Sequence, residues 1–512
     1  MPWRWLFAYV AAIFFAFPQP LGDAFVLDLG LLLAPAAPAV LLLALRGLTP
    51  GRAARVGFLA GWLAHAALLH WAYVVTVTYG HAPVIAGLLA PFGMALYIAP
   101  FIAGFAFVAA LLAQRGLANP FALAASWTAF EWLRSWLLTG FTWGGLGYAW
   151  HDNALALGLA QLSGVHGVSF IAVLFGASVI ALPAKRVAAC AGLALVAGLH
   201  AYSAISVASS VGGSRSLRVA VLQGNIDQGV KWTAQAFEDT LLAYEDLSRR
   251  AAADGAQLIV WPETAVPAPL AYPELRDRIA ALARELRTPL IVGAVGTDFD
   301  ANGRPTAFYD SAFIFSHAGV LLDRYDKSHL VPFGEYLPLR PLLGRLIRAV
   351  ATGATASDVT AGEPPRAIDV PLANGETIRV GIPICYELIF PDLVRRFADD
   401  GAQLLVGITN DAWYGRTGSP HQFLAMTALR SAETRLPLAR AANTGVSALI
   451  DGEGHVGART RIFERDLVVG DVTVREARTF YTEHGEVFAH ACAAATVLCS
   501  LIALHRGRKQ TS

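Results

Sequence analysis

Three segments of this 512-residue chain carry side chains suited to covalent chemistry, and each places its side chain at an expected strand end. Cys385 stands at the centre of Val380–Pro391, VGIPICYELIFP, with a helix-like segment, Asp392–Asp400, just beyond. A thiol at a strand-to-helix turn meets the exposed N–H groups and positive end of the helix, which favour a thiolate and any oxyanion formed beside it. Glu263 belongs to Trp261-Pro262-Glu263-Thr264, after an expected strand at Gln257–Val260. Lys327 lies in YDKSHLVPFGE, which begins at Tyr325 and ends at Glu335. A glutamate can take a thiol proton and later act as base toward an incoming nucleophile, while an ammonium stabilises thiolate and tetrahedral oxyanion. Each residue alone has an ordinary explanation: a structural cysteine, a helix cap, a solvated loop lysine. Together they describe a nucleophile with its base and its cation.

The region that must hold them, 216–483, alternates β-rich and helical runs. Strands are expected at Leu217–Leu222, Gln257–Val260, Leu290–Ala294, Ser311–Phe315, Thr377–Ile384, Gln403–Ile408, Val446–Ile450 and Asp466–Val472. Helices fit Thr233–Ala253, Tyr272–Arg287, Asp392–Asp400 and Gln422–Ala442 on the 3.6-residue period. Strands separated by helices argue for an α/β sandwich. The Ala-, Thr-, Gly- and Pro-rich stretch Ala349–Pro365 reads as a loop.

The rest of the chain is built for a membrane. With 55% hydrophobic and 15% charged residues, the composition is too apolar for an ordinary soluble enzyme. A net charge of +1 offers no general basic field, so nucleic acid is not expected as a partner. Seven apolar segments fill 1–210, at about 3–18, 24–45, 56–78, 84–113, 121–140, 165–183 and 187–206, and an eighth occupies 487–505. Each is near the roughly 20 residues that cross a bilayer. Arg46, Arg52, Arg55, Arg115, Lys185 and Arg186 fall in alternate loops, whereas Pro18–Asp23, Tyr79–Pro83 and Phe141–Gly164 contain no Lys or Arg. The positive-inside rule then puts both termini in the cytoplasm and 216–483 on the outer side. Glu131 and Arg134 share one face of the fifth segment and can neutralise each other, and the Gly- and aromatic-rich run Gly140–Trp150 suits a membrane boundary. Of four cysteines, Cys190, Cys492 and Cys499 lie in apolar segments, and neither a zinc spacing nor a disulfide framework is present.

The ordered segments WPET, YDKSHLVPFGEYLP and ICYE resemble the Glu–Lys–Cys triad of the nitrilase, or carbon–nitrogen hydrolase, superfamily. Placed between a seventh and an eighth span, with QGNIDQGVKW before them and TNDAWYGRTGSPHQ after, they are similar to the apolipoprotein N-acyltransferases of Gram-negative bacteria. EWLRSWLLTGFTW in the fifth span resembles the same family, with Thr142 where proline is common. The resemblance implies a polytopic α-helical membrane domain of about eight spans joined to a nitrilase-like αββα sandwich. It implies Cys385 as the acylated nucleophile, Glu263 as general base, Lys327 as oxyanion cation and Glu335 as a second carboxylate serving the lysine. Tyr386 and Glu387 would shape the pocket, and Trp232 and Trp413 would hold lipid. No metal or organic cofactor is called for.

The implied reaction is ping-pong. Cys385 would take an acyl chain from a membrane phospholipid, typically phosphatidylethanolamine, and pass it from the thioester to the α-amino group of a diacylglyceryl-cysteine lipoprotein. Localisation in the inner membrane, a periplasmic catalytic domain and a monomer are expected. A two-chain lipid gains about 0.8 kcal/mol per buried CH₂ in the bilayer, so such an enzyme should work at the membrane surface, with a site open sideways to the outer leaflet. Two other readings compete. A membrane-tethered amidase or nitrilase acting on a small C–N substrate would use the same triad but needs only one span. A transporter or sensor would show charged or broken helices throughout, whereas only Glu131 and Arg134 are conspicuous.

Overall fold

The computed structural model describes residues 3–22, 25–208, 215–229, 231, 234–338 and 359–508. Seven helices precede the α/β region: α1 (Trp3–Phe15), α2 (Gly30–Leu45), α3 (Pro50–Leu68), α4 (Val84–Gln114), α5 (Pro120–Trp136), α6 (Ala154–Ala181) and α7 (Arg186–Ala208). A last long helix, Val487–Arg508, follows it. Every expected span thus has a helix, but among the described residues only four (Val84–Gln114, Ala154–Ala181, Arg186–Ile205 and Val487–Gly507) are long and apolar enough to cross a membrane. Helices α1 and α2 have 13 and 16 residues, which at about 1.5 Å per residue fall short of a hydrocarbon core of about 30 Å. Arg52 and Arg55 dilute α3, and Glu131 and Arg134 dilute α5. About eight full spans is therefore more than length and composition supply.

The expected loop Phe141–Gly164 is partly helical, because α6 starts at Ala154. Asn153 caps it through Oδ1, which accepts the Ala156 N–H at 3.2 Å. The helix breaks at Gly164, whose φ of 62° suits glycine. A Cβ there would meet the Tyr481 ring at 2.6 Å.

Strands β1 (Gln19–Pro20) and β2 (Val26–Leu27) form a short antiparallel pair between α1 and α2. Two larger sheets form the α/β region. The first runs β15 (Asp466–Val474), β3 (Arg215–Gln223), β4 (Leu258–Val260), β6 (Leu290–Phe299), β7 (Pro305–Phe315), β8 (Leu321–Asp326), with β5 (Val266–Pro269) paired to β6. The second runs β14 (Val456–Arg459), β13 (Ala448–Ile450), β12 (Leu438–Ala442), β11 (Leu404–Thr409), β10 (Thr377–Gly381), β9 (Ile368–Pro371). Period-two alternation sorts the side chains of β3. Ala220 and Leu222 pack under helices α8 (Ala234–Ala253) and α9 (Pro273–Leu286), whereas Leu217, Val219 and Val221 join the core shared with the second sheet. Helices α10 (Pro391–Asp399) and α11 (Ser419–Thr434) belong to that shared core on the other side. The layers are αββα.

One expected helix was too long. Gln422–Ala442 divides into α11, ending at Thr434, and strand β12. Arg435 caps α11 at φ 59°, and Pro437 has no N–H to continue a helix and biases Leu436 toward extended backbone. Of the expected loop Ala349–Pro365, only 359–365 lie among the described residues.

Helix α11 joins the two parts of the molecule. Trp143 Nε1 donates to Gln422 Oε1 at 2.9 Å, the Val165 N–H to Glu433 Oε1 at 2.8 Å, and Arg430 Nη2 to the Tyr148 hydroxyl at 3.3 Å. Near the Cys385 turn, Thr142 Oγ1 donates to the Ile389 carbonyl at 2.6 Å.

Candidate active site

Three strand ends converge in the gap between the sheets. After β4, Trp261 N–H still donates to the Ile291 carbonyl at 2.8 Å. The chain then turns through Pro262 and Glu263, with Thr264 at φ 44°. This turn crosses β6 at Gly293, where a Cβ would stand 2.1 Å from the Pro262 carbonyl oxygen. Lys327 directly follows β8, and its N–H donates to the Asp310 carbonyl of β7 at 2.9 Å. Beyond β10, Ile384 forms a single bridge to Ile408, and Cys385 opens a 3₁₀ turn, Cys385–Ile389, at φ 49°.

Lys327 is the hub, with no solvent exposure. Its Nζ lies 2.5 Å from Glu335 Oε1, 3.4 Å from Glu263 Oε1 and 3.5 Å from Asp310 Oδ2. The other oxygen of Glu335 accepts the Val331 N–H at 2.8 Å. Oxygens of the three carboxylates lie within 4.8 Å of one another, a spacing that could ligate a cation; the Lys327 ammonium supplies the positive charge. Glu263 Oε2 has no hydrogen-bond partner among the described residues.

Burial opposes the Lys327 charge, but Glu335 and Glu263, with Cys385 and Asp310, outweigh it and hold the ammonium well above its ordinary range. For Cys385, burial and the Glu263 carboxylate push the thiol well up, against the pull of Lys327 and the Asn410 backbone N–H. Its resting form is the thiol. The long-helix stabilisation of a thiolate expected from sequence does not apply, since α10 begins only at Pro391. Asp310 is pushed well up by burial and by the Glu263 carboxylate, against the pull of Lys327. Glu335 is also raised by burial, which Lys327 only partly offsets.

Glu387 is fully buried. Its Oε1 accepts from the Tyr325 hydroxyl, the Ser328 N–H and hydroxyl, and the His329 N–H, while Oε2 accepts the Ile384 N–H. The residue thus clamps the lysine loop to the cysteine turn. Tyr386 is buried against Phe390 and donates to the Gly140 carbonyl at 3.4 Å. Trp413 is 39% exposed, and its ring packs on Tyr79 at 5.5 Å rather than on the Lys327 cluster. Trp232 lies outside the described residues.

Sequence reasoning missed Asp310, whose signal is a carboxylate entering the apolar strand run SAFIF. It also left Lys231, Asn410 and Asn443 without roles. Asn443 Nδ2 donates to the Ile226 carbonyl and to Asn410 Oδ1, joining the QGNIDQG and NDAWYG segments behind the site. A buried Arg440–Asp411 pair at 2.9 Å anchors the second of these.

A family model described as carbon-nitrogen hydrolase matches residues 218–481. A second, described as the apolipoprotein N-acyltransferase N-terminal domain, matches residues 4–178. The chain is 37% identical over 486 residues to an apolipoprotein N-acyltransferase of Geobacter metallireducens, covering 91% of this chain and 90% of the relative. It is 35% identical over 462 residues to that of Azotobacter vinelandii (86% and 85% covered). The corresponding protein of Methylococcus capsulatus is 33% identical over 474 residues (89% and 88% covered).

Proposed function

Because the chain belongs to the apolipoprotein N-acyltransferase family, we propose that it moves a fatty acyl chain from a membrane phospholipid, through a Cys385 thioester, to the N-terminal amine of a diacylglyceryl-cysteine lipoprotein. One observation carries this reading: Lys327 lies 3.4 Å from Glu263, in the field of the Cys385 thiol, within a chain that also has helices long enough to span a bilayer.

In the first half-reaction Cys385 Sγ attacks the ester carbonyl of phosphatidylethanolamine or a related phospholipid as Glu263 takes the thiol proton. Lys327 stabilises the oxyanion. Collapse breaks the C–O bond, and Glu263 returns the proton to the lysophospholipid alkoxide. The neutral α-amine of the acceptor then attacks the thioester, Glu263 takes its proton, and the C–S bond breaks. The product is an amide, and the proton returns to Cys385. Glu335 keeps Lys327 charged and placed. Tyr386 and Glu387 hold the turn, and Trp232 and Trp413 contact the lipid.

The domain limits 1–210, 216–483 and 487–505, an eight-span topology with the short helices completing the count, a periplasmic catalytic domain, cytoplasmic termini and a monomer complete the reading. The Lys and Arg asymmetry of the loops supports the orientation. A simple amidase would use the same triad, but it gives no reason for the helical region matched at 4–178. Intact-protein mass spectrometry after incubation with phospholipid alone tests the reading. An added acyl mass that hydroxylamine removes is expected on wild type and absent from Cys385→Ala; N-acylation of a diacylated lipopeptide by Cys385→Ala would refute it.

A further inference from the structure

A second lysine is buried at the base, and the reaction as derived does not use it. Lys231 is 1% exposed, and its Nζ donates to Thr264 Oγ1 at 3.0 Å. Thr264 is the residue that follows Glu263, and it holds the left-handed φ of 44° that closes the Glu263 turn. A buried ammonium is costly unless it serves nearby negative charge. The charges it feels are Glu263 and Asp310, two members of a cluster in which three carboxylates surround the single ammonium of Lys327.

We propose that Lys231 is a positioning residue for the acyl transfer: its buried ammonium, donating to Thr264, fixes the turn that carries Glu263 and so the place of that carboxylate beside Lys327. The proposal rests on the acyl-transfer reading for its reaction, but its physical content is the placement of the base. The groups facing Glu263 are Lys327, Asp310 and Cys385, with Glu335 across Lys327, and Asp411 and the Tyr414 hydroxyl beyond the thiol. Lys231 is not among the main influences on the thiol itself, so it acts through Glu263. Burial lowers its own pKa to about 8, against the pull of Glu263 and Asp310, so the charge is present at neutral pH and is lost as pH rises through that value.

The test is a double-mutant cycle on the full-length protein in detergent, reading the rate of Cys385 alkylation by iodoacetamide against pH, with the labelled peptide identified by mass spectrometry. In Lys231→Met the rate at pH 7 should fall about tenfold, since the Glu263 turn loses the ammonium that holds it. The difference from wild type should narrow above about pH 8, where Lys231 gives up its proton. In a Glu263→Gln background the same change should alter the rate less than about twofold, because residues acting through one another are not additive. Thr264→Val, which removes the hydrogen bond and leaves the ammonium, should lower the rate at pH 7 in the same direction and covers the case in which Lys231→Met does not fold. Profiles of both variants that superpose on wild type, or equal losses with and without Glu263, would overturn the proposal. Alkylation needs neither phospholipid nor lipoprotein, so the cycle reads Lys231 separately from the acyl adduct that reads the reaction.

Discussion

Ser328 donates both its backbone N–H and its hydroxyl to Glu387 Oε1, each at 2.7 Å. Through this contact the residue after the lysine is fastened to the residue two beyond the cysteine. Five hydrogen bonds converge on the one buried carboxylate, so Glu387→Ala leaves buried donors without acceptors. A loss of about 3 kcal/mol or more is expected, together with loss of acyl-adduct formation. Glu387→Gln keeps one carbonyl acceptor and should be the milder change. Thermal unfolding and the adduct assay on both variants check this.

Removal of the hub cation should damage fold and chemistry together. Lys327→Met leaves Glu263, Asp310 and Glu335 buried without their shared partner, at a cost of about 3–5 kcal/mol. In the proposed mechanism the oxyanion also loses its cation, so adduct formation should fall about 100-fold or more. Adding Asp310→Asn removes one of the excess carboxyls and should recover stability without recovering rate. Chemical denaturation beside adduct kinetics separates the two effects.

His329 gives the stability a pH dependence of known sign. Burial, and then the Lys327 charge, lower its pKa from 6.5 to about 4. The folded protein therefore holds it neutral while the unfolded chain binds a proton between those values. Stability should fall as pH drops from about 6.5 toward 4. In His329→Gln this contribution is absent, so its melting temperature should decline less than that of wild type between pH 7 and pH 5. Equal declines would refute the assignment.

Thr142→Val removes the hydroxyl that donates to the Ile389 carbonyl at 2.6 Å. The Tyr148 hydroxyl also reaches that oxygen, at 3.3 Å, so the acceptor keeps a partner. A loss of about 1 kcal/mol is expected, with adduct formation retained. A large drop in rate at unchanged stability would instead make Thr142 a functional link between helices and active site.

Topology is open to a direct test. A reporter active only outside the cytoplasm should work when fused at Gly213 and fail when fused at Gly47. Cytoplasmic behaviour at Gly213 would refute the proposed orientation.

Local sequence was enough for the order of the segments. Apolar runs long enough to span, strands ending at Glu263, Lys327 and Cys385, and a helix-breaking Pro437 are written in residue type and spacing, because periodicity and backbone chemistry act over a few residues. Pro437 was legible and still missed, since the apolar period of α11 continues into β12. Only the tertiary structure could decide what surrounds Lys327. Asp310 reaches it through the pairing of β7 with β8, Lys231 reaches Thr264 across 33 residues, and the strands of Glu263 and Cys385 lie in separate sheets. Charge and burial depend on neighbours distant in the chain. Thus residue types and their order named a thiol, a base and a cation, while the packed sheets set which charges and how much burial surround each of them.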